Sequence, residues 1–201
     1  MRSELQRIVI LPLILWSHIG MCSSAKNPLD RLRDKIPVNP VVKVAPTQLA
    51  GQYTSTSEEL RRHVGPFLSG SDLYLFPDGT YIYCEWADIE PVTIHDKGTW
   101  ALVEGLVELQ SDQEVTWNPN VQRKYVLVRR STHPREILLV GIERDLPYFE
   151  KQAGDSPELM LLIVAKVRTQ EITQAGCAKL KSKLMREAWR PHYFAMSRTK
   201  N

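Results

Sequence analysis

The stretch LYLFPDGTYIYCEW, Leu73 to Trp86, constrains the fold more than any other part of the chain. Leu73 and Leu75 alternate with Tyr74 and Phe76, the period-two pattern of a strand with two faces. Pro77 pre-sets φ at the first turn corner and Asp78 suits the second. Gly79 tolerates the left-handed conformation that closes a three-residue hairpin with a bulge. On the return strand Thr80, Ile82, Cys84 and Trp86 fall on one face, and Tyr81, Tyr83 and Glu85 on the other. Aromatic and β-branched residues dominate both arms, as a half-buried sheet prefers. A hairpin accounts for almost every residue here.

Further strand signals surround it. LAGQY, Leu49 to Tyr53, predicts an opening strand, and EELRRHV, Glu58 to Val64, a short helix. In KGTWALVEGLVELQSD, Thr99, Ala101 and Val103 oppose Trp100 and Leu102. Glu104-Gly105 makes a tight turn, after which Val107 and Leu109 alternate with Leu106, Glu108 and Gln110. KYVLVRRSTHPREILLVGI is another hairpin, with Ser131 to Pro134 at its tip. Short strands joined by such turns predict an antiparallel meander. A sheet of five to eight strands hides its edges best by closing into a barrel or a sandwich.

SPELMLLIVAKVRTQEIT is ambiguous. Ser156, Pro157 and Glu158 make a helix start, but Leu161 to Val164 is a buried-strand type of run that Val167 and Thr169 continue. The expectation is a strand. TQAGCAKLKSKLMREAWRP is a clearer helix, capped by Thr173 and stopped by Pro191. At 100° per residue Cys177, Leu180, Leu184 and Ala188 share one face, with Met185 and Trp189 at its edge. Lys179, Lys183, Arg186 and Arg190 line the other side. An amphipathic C-terminal helix packed on the sheet follows, with a basic stripe outward.

The N-terminal segment has Arg2 and Arg7, an apolar run from Ile8 to Leu15, and small residues Ser23 and Ala25 before Lys26. This is the pattern of a secretory signal peptide over residues 1–25. The run is short for a bilayer span. An uncleaved anchor and a lipoprotein acylated on Cys22 are the alternatives. Cleavage leaves one domain of ordinary size. Lys26 to Pro46, with four prolines, reads as an extended leader, and residues 47–201 as a single β-rich domain with strands over 49–169 and the helix over 173–190. The expected destination is the periplasm or the extracellular space, with no membrane span after cleavage. In an oxidising compartment Cys84 and Cys177 either pair or stay as two buried thiols, and both remain open at this stage. Residues 26–201 carry 24 Lys/Arg against 22 Asp/Glu. Nine of those bases and only two of the acids lie from Lys166 onward, so an acidic body carries a basic tail.

LYLFPDGTYIY followed by KGTWALVEGLVEL, with GQY at Gly51 to Tyr53, resembles the turn pattern of lipocalin-like small β-barrel domains of exported bacterial proteins, over residues 49–142. The resemblance implies a cup able to hold a small apolar ligand. It carries no catalytic residue onto this chain.

Motifs for chemistry are sparse. G-x-S-x-G, the Walker loop, G-x-G-x-x-G and H-E-x-x-H do not occur. The histidines do not stand at metal-ligand spacing, and no cofactor is expected. The one polar constellation is Glu85, Asp88, Glu90, His95 and Asp96 around a strand connection. There a carboxylate could orient His95 for acid–base work, and Glu85, His95 and Asp96 are weak metal candidates. Tyr81, Tyr83, Trp86 and Trp100 are the aromatics that could line a ligand cup. The leading expectation is a non-enzymatic ligand-binding barrel. The second is a cell-envelope structural or interaction module using the basic helix against an envelope protein. The third is an enzyme built on the Glu85–Asp96 loop. The basic stripe has no nucleic-acid-binding motif, and nucleic acid is not an expected partner.

Overall fold

The structure, a computed structural model, describes residues 26–41, 44–112 and 121–188. In chain order its elements are α1 (Pro28–Arg33), β1 (Val38–Pro40), α2 (Pro46–Leu49), β2 (Gly51–Thr54), α3 (Glu58–Val64), β3 (Ser69–Leu75), β4 (Thr80–Ala87), β5 (Glu90–Val103), β6 (Leu106–Ser111), β7 (Lys124–Arg130), β8 (Leu138–Gly141), α4 (Asp145–Gln152), α5 (Pro157–Val164), β9 (Lys166–Glu171) and α6 (Gln174–Glu187). The expected signal peptide, Trp189, Arg190 and Pro191 lie outside the described residues. Among those residues no helix is long and apolar enough to cross a membrane.

Strands β2 to β9 close into an eight-stranded barrel in which every pairing is antiparallel. The mainly β, closed architecture with α6 packed on it is the one that the alternating strand signals implied. The strand β1 is extra. It pairs with Val128 to Arg130 of β7, beyond the part of that strand that β6 occupies.

The hairpin at residues 73–86 forms as its turn chemistry dictates. Phe76 N donates to the Thr80 carbonyl at 2.8 Å and Gly79 N to the Phe76 carbonyl at 3.1 Å. Gly79 takes φ 78°, a conformation with little steric cost only for glycine. A two-residue turn at Glu104-Gly105 joins β5 to β6.

Three apolar clusters follow from strand parity. Tyr53, Leu73, Leu75, Tyr81, Tyr83, Trp100, Val107, Tyr125, Leu127 and Leu139 fill the barrel interior. Residues of opposite parity on β7 and β8, Val126, Val128, Leu138 and Val140, face outward and are covered by Leu32 of α1, Leu60 of α3, Leu146 and Phe149 of α4 and Leu161 of α5. On the far side Tyr74, Phe76, Ile82, Cys84 and Ile94 lie under Cys177, Leu180, Leu184 and Met185 of α6. Lys179, Lys183 and Arg186 stay exposed. The Thr173 hydroxyl caps α6 through Gly176 N at 3.3 Å.

Several expectations need correction. Pro157 to Val164 is a helix, and only Lys166–Glu171 is a strand. Pro157 sits in the first turn, where its missing N–H is harmless, and Glu158, Leu159, Met160, Leu161 and Leu162 are good helix formers. Within Lys26–Pro46 the chain is not plainly extended. It forms α1 and β1, and Leu32, Ile36 and Val38 enter the core. Of the two states left open for Cys84 and Cys177, the structure has the two buried free thiols, which is a choice between alternatives and not a correction. They share one apolar cluster, but Cys177 Sγ lies 3.9 Å from the Asp78 carboxylate at the hairpin tip, whereas Cys84 pairs with Asp72. Four residue steps along the strand, about 13 Å, separate Thr80 beside that tip from Cys84.

A buried guanidinium ties the outer layer together. Arg130 at the end of β7 donates to both oxygens of Glu59 on α3, and its Nε donates to Glu136 at 2.9 Å. Arg130 beside it holds the Glu59 carboxyl below its usual range.

The helical assignment of α5 is testable, because Leu161 and Ile163 would share a face in a strand and do not share one in a helix. Leu161 is fully buried and Ile163 is 41 % exposed. Leu161→Ala is expected to cost about 2–5 kcal/mol, and Ile163→Ala well under half of that. Urea unfolding of the two variants measures both, and equal losses would contradict the helix.

Candidate functional site

The barrel has two unlike ends. At the Pro77–Gly79 end, Trp100 N donates to the Gly79 carbonyl at 2.8 Å, and Trp100 Nε1 to the Phe76 carbonyl at 2.9 Å. Trp100 therefore plugs that end. One layer in, Tyr81 Oη donates to Asp96 Oδ2 at 2.6 Å. That carboxylate also accepts from Arg123 Nη1 at 2.6 Å and from Ser111 Oγ at 2.5 Å. Asp96 is fully buried and is satisfied by this carboxylate–guanidinium–phenol knot, whose arginine side chain is partly exposed. Burial, with Asp96 beside it, holds the Tyr81 phenol well above its usual range.

At the other end, around the β4–β5 connection, a polar pocket of about 510 Å³ opens. Its lining includes Ser71, Tyr83, Glu85, Trp86, His95 and Arg144. Tyr83 and Glu85 point inward because they alternate with the outward Ile82 and Cys84. His95 reaches the pocket through a bulge. Tyr83 pairs with Asp96 and Cys84 with Ile94, so His95 is the extra residue. The bulge puts His95 and Asp96, consecutive in sequence, on the same side of β5.

The polar groups form a connected chain. Lys166 Nζ, on β9, donates to Ser71 Oγ and lies 5.1 Å from the centroid of the Tyr83 ring. Tyr83 Oη donates to Glu85 Oε1 at 3.1 Å, and His95 Nε2 stands 3.3 Å from Glu85 Oε2. Glu85 thus gathers the phenol and the imidazole on its two oxygens. Arg144, at the start of α4, places its backbone N–H 3.0 Å from the Gln122 side chain and its Nε 3.3 Å from Asp145.

Lys166 is the costly member. It is 6 % exposed, and among the described residues no carboxylate lies within ion-pair distance of its ammonium. Burial pushes its pKa down to about 8, partly offset by Asp145 and Asp72. Ser71 and the π face of Tyr83 are modest compensation for a desolvated ammonium. The chain tolerates an unfavourable charge directly behind the pocket wall, a pattern that recurs at functional sites.

Of the aromatics expected to line a cup, Tyr83 and Trp86 line this pocket, while Tyr81 and Trp100 belong to the filled interior. The Trp86 indole packs closely against Gly70, where a Cβ would come within 2.6 Å of the ring. Of the acidic constellation, Glu85, Glu90 and His95 line the pocket, with contact between Glu85 and His95, Asp88 sits in the turn, and Asp96 leaves for the interior knot. Among the described residues no three His, Cys, Asp or Glu side chains come together as a metal-ligand set. Ser71, Arg144 and Lys166 were not singled out from sequence. The one available signal was Lys166 itself, a lone cation inside the apolar run IVAKV. Chemically, the pocket offers donors and acceptors of both charges, plus an imidazole–carboxylate pair of the kind that serves acid–base work.

The linkage of Lys166 to stability has a definite sign. Its folded pKa lies below the unfolded value of 10.5, so between about pH 8 and 10.5 the unfolded chain binds more protons. Stability from this group therefore rises with pH across that window and carries the full penalty below it. Lys166→Met is expected to stabilise the protein by about 1–3 kcal/mol at pH 7, and the advantage is expected to shrink as pH rises from 8 to 10.5. Paired urea titrations of wild type and variant at pH 7 and pH 10 measure this. A destabilised variant at pH 7 would show that the ammonium is well compensated.

Compared with protein-family models, with curated proteins and with solved structures, the chain matches none of them.

Proposed function

We propose that this chain is an exported, non-enzymatic binding module that holds a small molecule at the open mouth of its barrel. The observation that carries the reading is the polar pocket lined by Ser71, Tyr83, Glu85 and His95, with Glu85 bonded to Tyr83 and beside His95, and Lys166 bonded to Ser71 behind the wall. Its size falls in the range of ligand sites, about 300–1,000 Å³. The N-terminal pattern supports export, and the turn pattern shared with lipocalin-like domains fits a ligand held by a barrel. The filled interior moves the ligand from the centre of the barrel to its mouth, and the lining makes its buried portion polar rather than apolar. Binding asks less of this site than catalysis does, since the His95–Glu85 pair supplies hydrogen bonds whether or not a reaction follows.

A second reading has an observation of its own. A groove of about 430 Å³ runs between β9 and α6, with Ile172, Gly176 and Leu180 along it and Lys179, Lys183 and Arg186 beside them. Such a groove suits an acidic, partly apolar segment of a cell-envelope protein, with the basic helix as the contact surface.

Native mass spectrometry of the protein purified from its own exported fraction tests the first reading. The expected spectrum shows a small molecule retained on the wild type and lost from Glu85→Gln. Retention by both variants alike would remove the mouth pocket from the proposal. A bare wild-type mass together with a co-purifying envelope protein would shift the function to the α6 groove.

A further inference from the structure

We propose that Ser71 is a nucleophile of the mouth pocket, that Lys166 is its base, and that the pocket takes up a small carboxylic ester and becomes acylated on Ser71. The inference rests on the reading of the mouth as a small-molecule pocket and names the class of ligand. Its first observation is the placement of the two side chains. Ser71 shares the inward parity of Leu73 and Leu75 on β3, and it lines the pocket half-buried. Lys166 comes from β9, on the other side of β2, and is buried behind the pocket wall. Its Nζ donates to Ser71 Oγ. A hydroxyl that faces a pocket, backed by an amine shielded from water, is the nucleophile–base arrangement of acyl transfer.

The second observation is how firmly both are held. Ser71 pairs with Glu85 of β4, its N–H donates to Ser55 Oγ at 2.9 Å, and its carbonyl accepts from Ser55 N at 3.0 Å. Lys166 is placed by its pairing with Leu139 and by the Tyr83 ring, 5.1 Å from its Nζ. Strands on both sides thus fix the hydroxyl against the amine, so little freedom is left to lose when a reactant arrives. The third observation is the protonation of the amine. Burial lowers Lys166 to about 8, with Asp145, Asp72 and Glu85 opposing the shift and Arg144 reinforcing it. About one-tenth of the amine is then neutral at pH 7 and about half at pH 8. The neutral amine accepts from the Ser71 O–H, the reverse of the bond that the ammonium makes.

The step balances without another reactant. Ser71 Oγ attacks the acyl carbon as its proton passes to Lys166 Nζ. The bond from Oγ to that carbon forms, and the bond from the carbon to the leaving alkoxide oxygen breaks. The Lys166 ammonium returns the proton to that oxygen, which departs as an alcohol. The product is one acyl group on Ser71, a covalent form of the binding assigned to this pocket. A base of this kind also gives a use to a buried amine that costs the fold stability.

Incubation of the full mature protein with p-nitrophenyl acetate, as the probe ester, tests the proposal. Nitrophenolate release gives the rate, and peptide mapping by mass spectrometry locates the acetyl group. The wild type is expected to carry the label on Ser71, at a rate that rises with pH and levels off above a midpoint near 8. Lys166→Met, whose fold is expected to be the more stable, and Lys166→Arg, which keeps the charge but cannot give up its proton, are each expected to acetylate Ser71 at least about a hundredfold more slowly. Ser71→Ala is expected to lose the label. No label on Ser71, an equal rate in Lys166→Met, or a rate that climbs with pH without levelling would overturn the inference. The pocket reading fails separately. A native ligand retained by the wild type and lost from Glu85→Gln, with no label on Ser71, ends the acylation inference and leaves the pocket reading intact. Nitrophenolate release that continues past one equivalent, and stops in Lys166→Met, supports the Ser71–Lys166 pair and ends the non-enzymatic reading instead.

Discussion

The seam between β8 and β9 is two residue pairs long, and the placement of the pocket depends on it. Leu138 pairs with Val167 and Leu139 with Lys166. Because side chains alternate, this register sends Leu139 and Lys166 inward and Leu138 and Val167 outward. A slip of one residue would exchange the two faces, burying Val167 in the barrel and moving the lysine into the outer apolar layer. The outer layer resists that slip. Val167 packs with Leu138, Leu161 and Phe149, and α5 ends at Val164, two residues before the strand begins. The helices on the outside of the barrel thus fix the position of a charge on its inside.

The same parity makes one end of the barrel solid. Trp100 and the Tyr81–Asp96–Arg123 knot are held to the Pro77–Gly79 turn and to β6, and α6 lies over the outer face of that hairpin, with Lys181 paired to Asp78 and set 4.7 Å from the Phe76 ring. With one end filled by large side chains, the free volume falls at the other, where Glu85, Trp86 and Ala87 of β4 leave the core.

Much of this was legible in the sequence, for physical reasons that differ by element. The Pro77-Asp78-Gly79 turn, the alternation of Tyr81, Tyr83 and Glu85 against Ile82 and Cys84, and the apolar face of α6 are local patterns, and local patterns survive folding. Three features are not local. The bulge at His95 is set by pairing with β4, so β5 read alone as continuous alternation divides His95 from Asp96. The run Leu161 to Val164 carries the same apolar density in either conformation, and its neighbours in space decided for a helix. Arg130 carries no local sign of burial, and its pairing with Glu59 of α3, far away in sequence, comes only with the tertiary fold.

The site shows the conflict expected of a place kept for more than stability. Folding alone would favour an apolar residue at position 166 and a polar one at position 89. The chain has a lysine in the interior, bonded to a hydroxyl and set over a ring face with Asp145 and Asp72 only partly offsetting its burial, and an isoleucine on an exposed turn. Each reverses the usual partition of polar and apolar groups, and both lie at the same end of the barrel. An inner charge and an exposed apolar side chain are opposite departures, so a general tolerance of poor packing does not explain the pair.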